Sequence, residues 1–194
     1  RVRCTALELN PDSAAIARRI VAAFGLDDRI RVLETDATRY HPDRPIDLLV
    51  SETMHSGLID EPMVAIMANL QPAVRPGGAV LPSGVDVHSR LLTMDEYEQI
   101  DLYNHLASRA VKVFTEGWQT QVEYEAGDRL PAIAFDVPLA SQAVGSYMVA
   151  VCCTVRLGDA EPLQPYDSLI TMPQGVSTDS GQKWILLDGF GTVR

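Results

Sequence analysis

Two glutamates, Glu52 and Glu61, stand on opposite limbs of the stretch Asp47-Leu-Leu-Val-Ser-Glu52-Thr-Met54-His55-Ser-Gly57-Leu-Ile-Asp60-Glu61. Carboxylates so placed can converge on a single cation. A guanidinium suits them, because its planar fork matches carboxylates bidentately. Spacing alone favours a plainer account, in which Glu52 is an ordinary strand-end acid and Glu61 a helix-capping charge. The apolar run Asp47–Val50 predicts a strand buried on both faces. A loop containing Gly57 follows, and Asp60-Glu61-Pro62 predicts the opening of a helix, with proline at its first position.

Other acids stand where a nucleoside-bearing ligand would meet them. Glu8 ends a predicted strand over Val2–Leu9, where an acid after a first βα unit commonly hydrogen-bonds ribose hydroxyls. Asp36 follows the strand Ile30–Leu33. It is placed to accept from an adenine amino group while the neighbouring backbone at Ala37 meets the ring. Each acid alone is also what solubility would put at a strand end.

The elements that must position these groups follow an α/β pattern. Asn10-Pro11-Asp12-Ser13 caps a helix with Ile16, Ile20 and Phe24 along one face, and Gly25 closes it. A second helix over Pro62–Leu70 carries Met63, Ile66, Met67 and Leu70 on one face. Arg75-Pro-Gly-Gly78 reads as a turn into a strand over Ala79–Leu81. This order predicts a doubly wound, Rossmann-like α/β domain over residues 1–84. Beyond Pro82 the character changes. Asp95–Val113 is mixed, with some helical spacing, and Ile133–Val137, Tyr147–Val155, Ser168–Met172 and Lys183–Leu187 read as strands. Residues 85–194 are therefore expected to form an antiparallel, β-barrel-like domain.

Composition narrows the function. The chain has 194 residues and a net charge of −10, which argues against a nucleic-acid substrate and is compatible with a cationic one. No apolar run is long enough to cross a membrane. Cys4, Cys152 and Cys153 lie in apolar, strand-like runs without metal-ligand spacing, so neither a zinc site nor a disulfide is expected, and a reducing cytoplasm is. Adjacent Cys152 and Cys153 would point to opposite faces of a strand. His41, His88 and His105 share no spacing and read as surface or satisfied residues.

Ser51-Glu52-Thr53-Met54 and Glu61-Pro62-Met63 resemble the double-glutamate loop of protein arginine methyltransferases, including the distance between its two acids. The strand-end acids, Arg75-Pro76-Gly77-Gly78 and Leu81-Pro82-Ser83 are similar to the wider layout of class I S-adenosylmethionine methyltransferases. The resemblance implies S-adenosyl-L-methionine as cofactor, with Glu8, Asp36, Ala37 and Glu52 on the cofactor side. It implies Glu52 and Glu61 as the catalytic carboxylates. Methyl transfer from a sulfonium is an in-line displacement that needs an aligned nitrogen lone pair. Two carboxylates drawing positive charge to one side of a guanidinium leave the opposite nitrogen more nucleophilic, and they stabilise the cation formed. Met54, Met63 and His55 would line the acceptor pocket; core packing for the methionines and a solvated loop position for the histidine remain open. The family also has an earlier strand ending in a glycine-rich loop. This sequence opens at what would be the second strand, so an amino-terminal portion is expected to be missing.

Ser168-Leu-Ile-Thr-Met-Pro173 followed by Gly181-Gln182-Lys183-Trp184 resembles the barrel stretch leading to the family's Thr-His-Trp loop, with Trp184 matching and Lys183 in place of histidine. No counterpart of the family's dimerisation arm is evident, and a homodimer is left open. A lysine at the pocket mouth could pair with a free α-carboxylate, which inclines the reading to free L-arginine or a small guanidino metabolite over an arginine-containing peptide. Lys183 as a solvated barrel residue and Trp184 as barrel packing are the plainer alternatives. A non-catalytic methyltransferase-like module, and an enzyme acting on another amine or hydroxyl, are the rival functions.

Overall fold

The structure is a computed structural model that describes residues 2–58, 61–99, 117–128, 144–176 and 185–188. Its first part alternates strand and helix. Strand β1 (Cys4–Glu8) leads into helix α1 (Pro11–Ala23), and strand β2 (Ile30–Glu34) then returns parallel to β1 with Glu8 opposite Glu34. The helix starts where the sequence says it should. Asn10 Oδ1 accepts from the backbone N–H groups of Asp12 and Ser13 at 2.9 and 3.2 Å, satisfying two donors that the first turn leaves free. Strand β3 (Ile46–Val50), helix α2 (Met63–Leu70) and strand β4 (Val74–Leu81) repeat the unit, with β3 and β4 again parallel.

Several local expectations change here. β3 is not buried on both faces among the described residues: Leu48 and Val50 are exposed and only Leu49 is buried, and at β1 Val2, Cys4 and Leu9 are exposed as well. On α1 the apolar stripe of Ile16, Ile20 and Phe24 is exposed too, and Ala14 is the buried residue. Pro62 sits one place before the helix rather than at its first position, in the cap, without a side-chain capping bond. Arg75–Gly78 is an excursion within β4 rather than a turn ahead of it. Ile46 pairs with Val74 and Leu48 with Ala79, so these four residues stand opposite Asp47 alone. Gly77 there has φ +77°, which a residue without Cβ adopts freely.

The second part is an antiparallel sheet in the order β6 (Gln119–Glu125), β5 (Gly84–Thr93), β7 (Val144–Arg156), β8 (Gln174–Gly175), with β9 (Ile185–Asp188) also pairing with β7. It does not close into a barrel among the described residues. β5 and β6 were not evident in the sequence. Asp86, His88 and Arg90 interrupt β5, and β6 has few apolar residues. Ser168–Met172 was expected as a strand and instead holds a 3-10 turn, Leu169–Thr171. The Ser168 and Thr171 side chains bond each other's backbone, an alternative to ladder pairing that these hydroxyls favour. Residues 94–99 are helical, with Thr93 and Glu96 bonding each other's backbone N–H at the start. The expectations over Ile133–Val137, His105, Lys183 and Trp184 lie outside the described residues.

One core joins the two parts. Leu49, Met54, Leu58, Met63, Ile66, Met67 and Leu70 pack with Val85, Val87, Tyr124, Cys153 and Val155. Alternation along β7 turns Cys153 and Val155 to this core and Ala150 to a second cluster with Leu92, Tyr166 and Met172. Cys152 and Cys153 are both buried and both free thiols. No helix among the described residues is long and apolar enough to cross a membrane.

Candidate active site

β3 ends at Val50, and the Ser51 N–H continues the ladder by donating to the Leu81 carbonyl at 2.9 Å. Ser51 and Thr53 hydroxyls meet at 2.8 Å, bracketing Glu52. The chain then dives: Met54 is buried and His55 half-buried. A 3-10 turn over Ser56–Leu58 reverses it, closed by the Leu58 N–H on the His55 carbonyl at 2.9 Å. Gly57 has φ 79° and Leu58 φ 59°, two consecutive residues in the left-handed region, the first of which favours glycine. Leu58 lacks that excuse and is held there by burial in the shared core. The return limb brings Glu61 and then Met63, the first residue of α2.

The two limbs repeat one device. Glu52 and Glu61 each lie two residues ahead of a methionine, and both carboxylates are exposed while Met54 and Met63 belong to the same core. The buried methionines anchor both limbs in the core, and the glutamate two residues ahead of each is exposed to solvent. The methionines are packed as core residues, 3% and 1% exposed.

The strand-end acids are ordered by their own surroundings. Glu8 Oε1 accepts from the Asn10 N–H at 2.8 Å, so one oxygen braces the entry to α1. Asp36 Oδ1 accepts from the Thr38 hydroxyl at 2.6 Å and the Thr38 N–H at 2.8 Å. These bonds, with Arg39 nearby, hold its carboxyl below the usual range, so it is an anion and an acceptor. Thr35 N–H donates to the Glu8 carbonyl at 2.9 Å, which sets the two acids at the ends of adjacent parallel strands. Asn69 of α2 was not singled out in the sequence. Its Nδ2 donates to the carbonyls of Ala37 and Tyr40 at 3.0 and 2.8 Å, tying the turn after β2 to the helix after the glutamate loop. An amide in the otherwise apolar run MVAIMANL is the signal that could have found it.

No family model matches the chain. In sequence it is 29% identical to an arginine N(omega)-methyltransferase of Streptomyces achromogenes subsp. streptozoticus, over 93% of this chain and 56% of the relative. The chain thus spans about half the length of the curated relative it matches. In structure it is similar to the Trypanosoma brucei PRMT1 enzyme–prozyme complex with AdoHcy, at TM-score 0.57 and 14% identity over 90% of this chain and 67% of that one. It is similar to Arabidopsis thaliana protein arginine methyltransferase 10, at 0.57 and 13% over 96% and 68%. A PRMT6 structure with SAH gives 0.56 and 12% over 92% and 73%. The fold is that of the protein arginine methyltransferases. The sequence likeness, to an enzyme named for arginine, agrees with the resemblance carried by Ser51–Met54 and Glu61–Met63.

Proposed function

We propose that the chain is part of an S-adenosylmethionine-dependent arginine N-methyltransferase in which Glu52 and Glu61 grip the guanidinium. The observation that carries this is the repeated pair of an exposed glutamate two residues ahead of a methionine, with both methionines buried in one core. Two carboxylates that converge suit a planar cation, and they would be left unpaired by a neutral acceptor in a closing site.

The residues present fit the nucleoside half of the cofactor. Glu8 and Asp36 are acceptors at neighbouring strand ends, and Asp36 is kept anionic by Thr38 and Arg39. Glu8, Asp36 and Ala37 would hold it, with Glu52 on its side of the loop. When bound, S-adenosylmethionine supplies an electrophilic methyl on a sulfonium. The protein's own part is to orient and polarise: the glutamates pull charge to one edge of the guanidinium, free a nitrogen lone pair on the other, and stabilise the cation that results. Residues 1–84 take the cofactor in this reading, and residues 85–194 complete the acceptor side.

Between acceptors, we favour free L-arginine or a small guanidino metabolite over arginine in proteins. The relative's name, which gives arginine itself, supports this, as does Lys183 in the position where the family resemblance has histidine. The test uses the complete protein. Glu52→Gln and Glu61→Gln should each fold normally and lose about 10²–10³-fold in kcat. Near wild-type turnover in either variant ends the double-carboxylate mechanism. S-adenosylhomocysteine binding without transfer to any acceptor favours a non-catalytic module. Strong preference for an Arg-Gly-rich peptide over free L-arginine overturns the small-substrate reading.

A further inference from the structure

The chain passes from the parallel half to the antiparallel sheet through Pro82 and Ser83, between the end of β4 at Leu81 and the start of β5 at Gly84. Ser83 commits its polar groups to the carboxyl ends of β6 and β7. Its N–H donates to the Arg156 carbonyl at 2.9 Å, and its own carbonyl accepts from the Ala126 N–H at 2.9 Å. Its hydroxyl donates to the Arg156 carbonyl at 3.3 Å and accepts from the Gly158 N–H at 3.1 Å. Arg156 grips the next residue as well. Its guanidinium reaches Asp86, Glu125 and the Tyr124 carbonyl, and it lies where a Cβ on Gly84 would stand. On the other side of the joint, the Leu81 carbonyl accepts at 2.9 Å from the N–H of Ser51, the residue before Glu52.

We infer that Ser83 is a positioning residue whose hydroxyl locks this joint and so fixes the limb bearing Glu52 relative to the antiparallel sheet. This rests on the function proposed above in so far as Glu52 grips the acceptor. A serine hydroxyl in a turn ordinarily bonds its own neighbours. The partners of this one lie 73 and 75 residues away. The shared core already holds the two halves together, but apolar burial is non-directional. Hydrogen bonds have direction, and here they converge two residues from the carbonyl that receives the Ser51 N–H. A rotation at the joint would therefore move the sheet against the Glu52 limb, and small misplacements of reacting groups are costly to rate.

The experiment compares Ser83→Ala with Ser83→Thr, which keeps the hydroxyl, in the complete protein. Amide hydrogen exchange is read at Gly158, at Ser51 and, as a remote control, at Ala14 of α1, whose N–H donates to the Asn10 carbonyl. Methyl transfer to L-arginine and S-adenosylhomocysteine binding are measured alongside. Ser83→Ala should speed exchange at Gly158 on the order of 10-fold, speed it at Ser51 as well, and leave Ala14 unchanged. Its kcat should fall on the order of 10-fold, with cofactor affinity unchanged. Ser83→Thr should restore both amides and most of kcat. Unchanged exchange at Gly158 overturns the lock. Faster exchange at Gly158 with Ser51 unchanged, or an equal rise at all three amides, overturns the positioning role. So does an undiminished kcat, or a threonine variant no better than alanine. If the wild-type protein methylates no guanidino acceptor, the proposed function fails, and the Ser51 exchange still decides whether Ser83 positions the limb.

Discussion

Leu58 holds a conformation that costs a non-glycine residue roughly 1–2 kcal/mol, and its buried side chain offsets that cost. The two contributions can be separated. Leu58→Ala gives up the burial and keeps the strain, while Leu58→Gly gives up the burial and releases the strain. Both should destabilise by about 2–5 kcal/mol, but glycine should be the milder by about 1 kcal/mol, the reverse of its usual rank below alanine. Urea midpoints of the two variants check this, and alanine equalling or exceeding glycine would contradict a left-handed Leu58. Nothing in the sequence marks this residue. The glutamates and methionines were legible because their types and spacing are repeated, whereas a backbone dihedral at a leucine leaves no trace in residue type.

Between elements, a single amide links the helix after the glutamate loop to the proposed cofactor side. Asn69 joins α2 to the turn that follows β2, so the helix after the glutamates also steadies the turn bearing Asp36. Asn69→Leu leaves two carbonyls without this donor, at a cost of about 1–3 kcal/mol. It should weaken S-adenosylhomocysteine binding more than it raises KM for arginine. Equal effects on both, measured by calorimetry and steady-state kinetics, would place Asn69 outside the cofactor side. The order of β1 through β4 could be read in advance because capping residues and apolar runs are local signals. Burial could not. Ile16, Ile20 and Phe24 have helical spacing yet are exposed, and Leu48 and Val50 form an apolar run yet face outward. An amphipathic pattern reports which face is apolar, and not what covers it. β5 and β6 went unread for the opposite reason: their polar residues find partners only in the folded sheet, as when Arg156 reaches Asp86, Glu125 and the Tyr124 carbonyl.

For the molecule as a whole, stability should follow two distinct acid transitions. His88 is half-buried, with Nδ1 3.1 Å from the Thr120 hydroxyl and Nε2 2.9 Å from that of Thr154. Burial lowers its pKa, and Asp86 opposes the shift without cancelling it. A histidine with a depressed folded pKa binds its proton less readily than the unfolded chain does. Its effect is therefore absent well above about pH 6.5, and stability falls as pH drops from there through the folded pKa. Asp36 acts lower: its carboxyl is held below the usual range, and the stability it contributes is lost only as pH falls through that depressed value. Between pH 7.5 and 5.5 the wild-type melting temperature should drop more than that of His88→Gln. Parallel curves would mean that His88 is protonated alike in both states.

The excursion at Arg75–Gly78 has a practical use. Four residues there face the single residue Asp47, so the pairing on either side does not depend on their number. Gly77 has open space around the position of a Cβ, whereas at Gly78 an added atom would meet Val74 and the Asp47 carbonyl. An epitope or a fluorophore-bearing hexapeptide spliced between Pro76 and Gly77 would lengthen the excursion from four residues to ten. By loop-closure entropy that costs about 0.8 kcal/mol. The same excursion offers a handle for labelling or surface attachment on the parallel half of the protein, away in sequence from the glutamates.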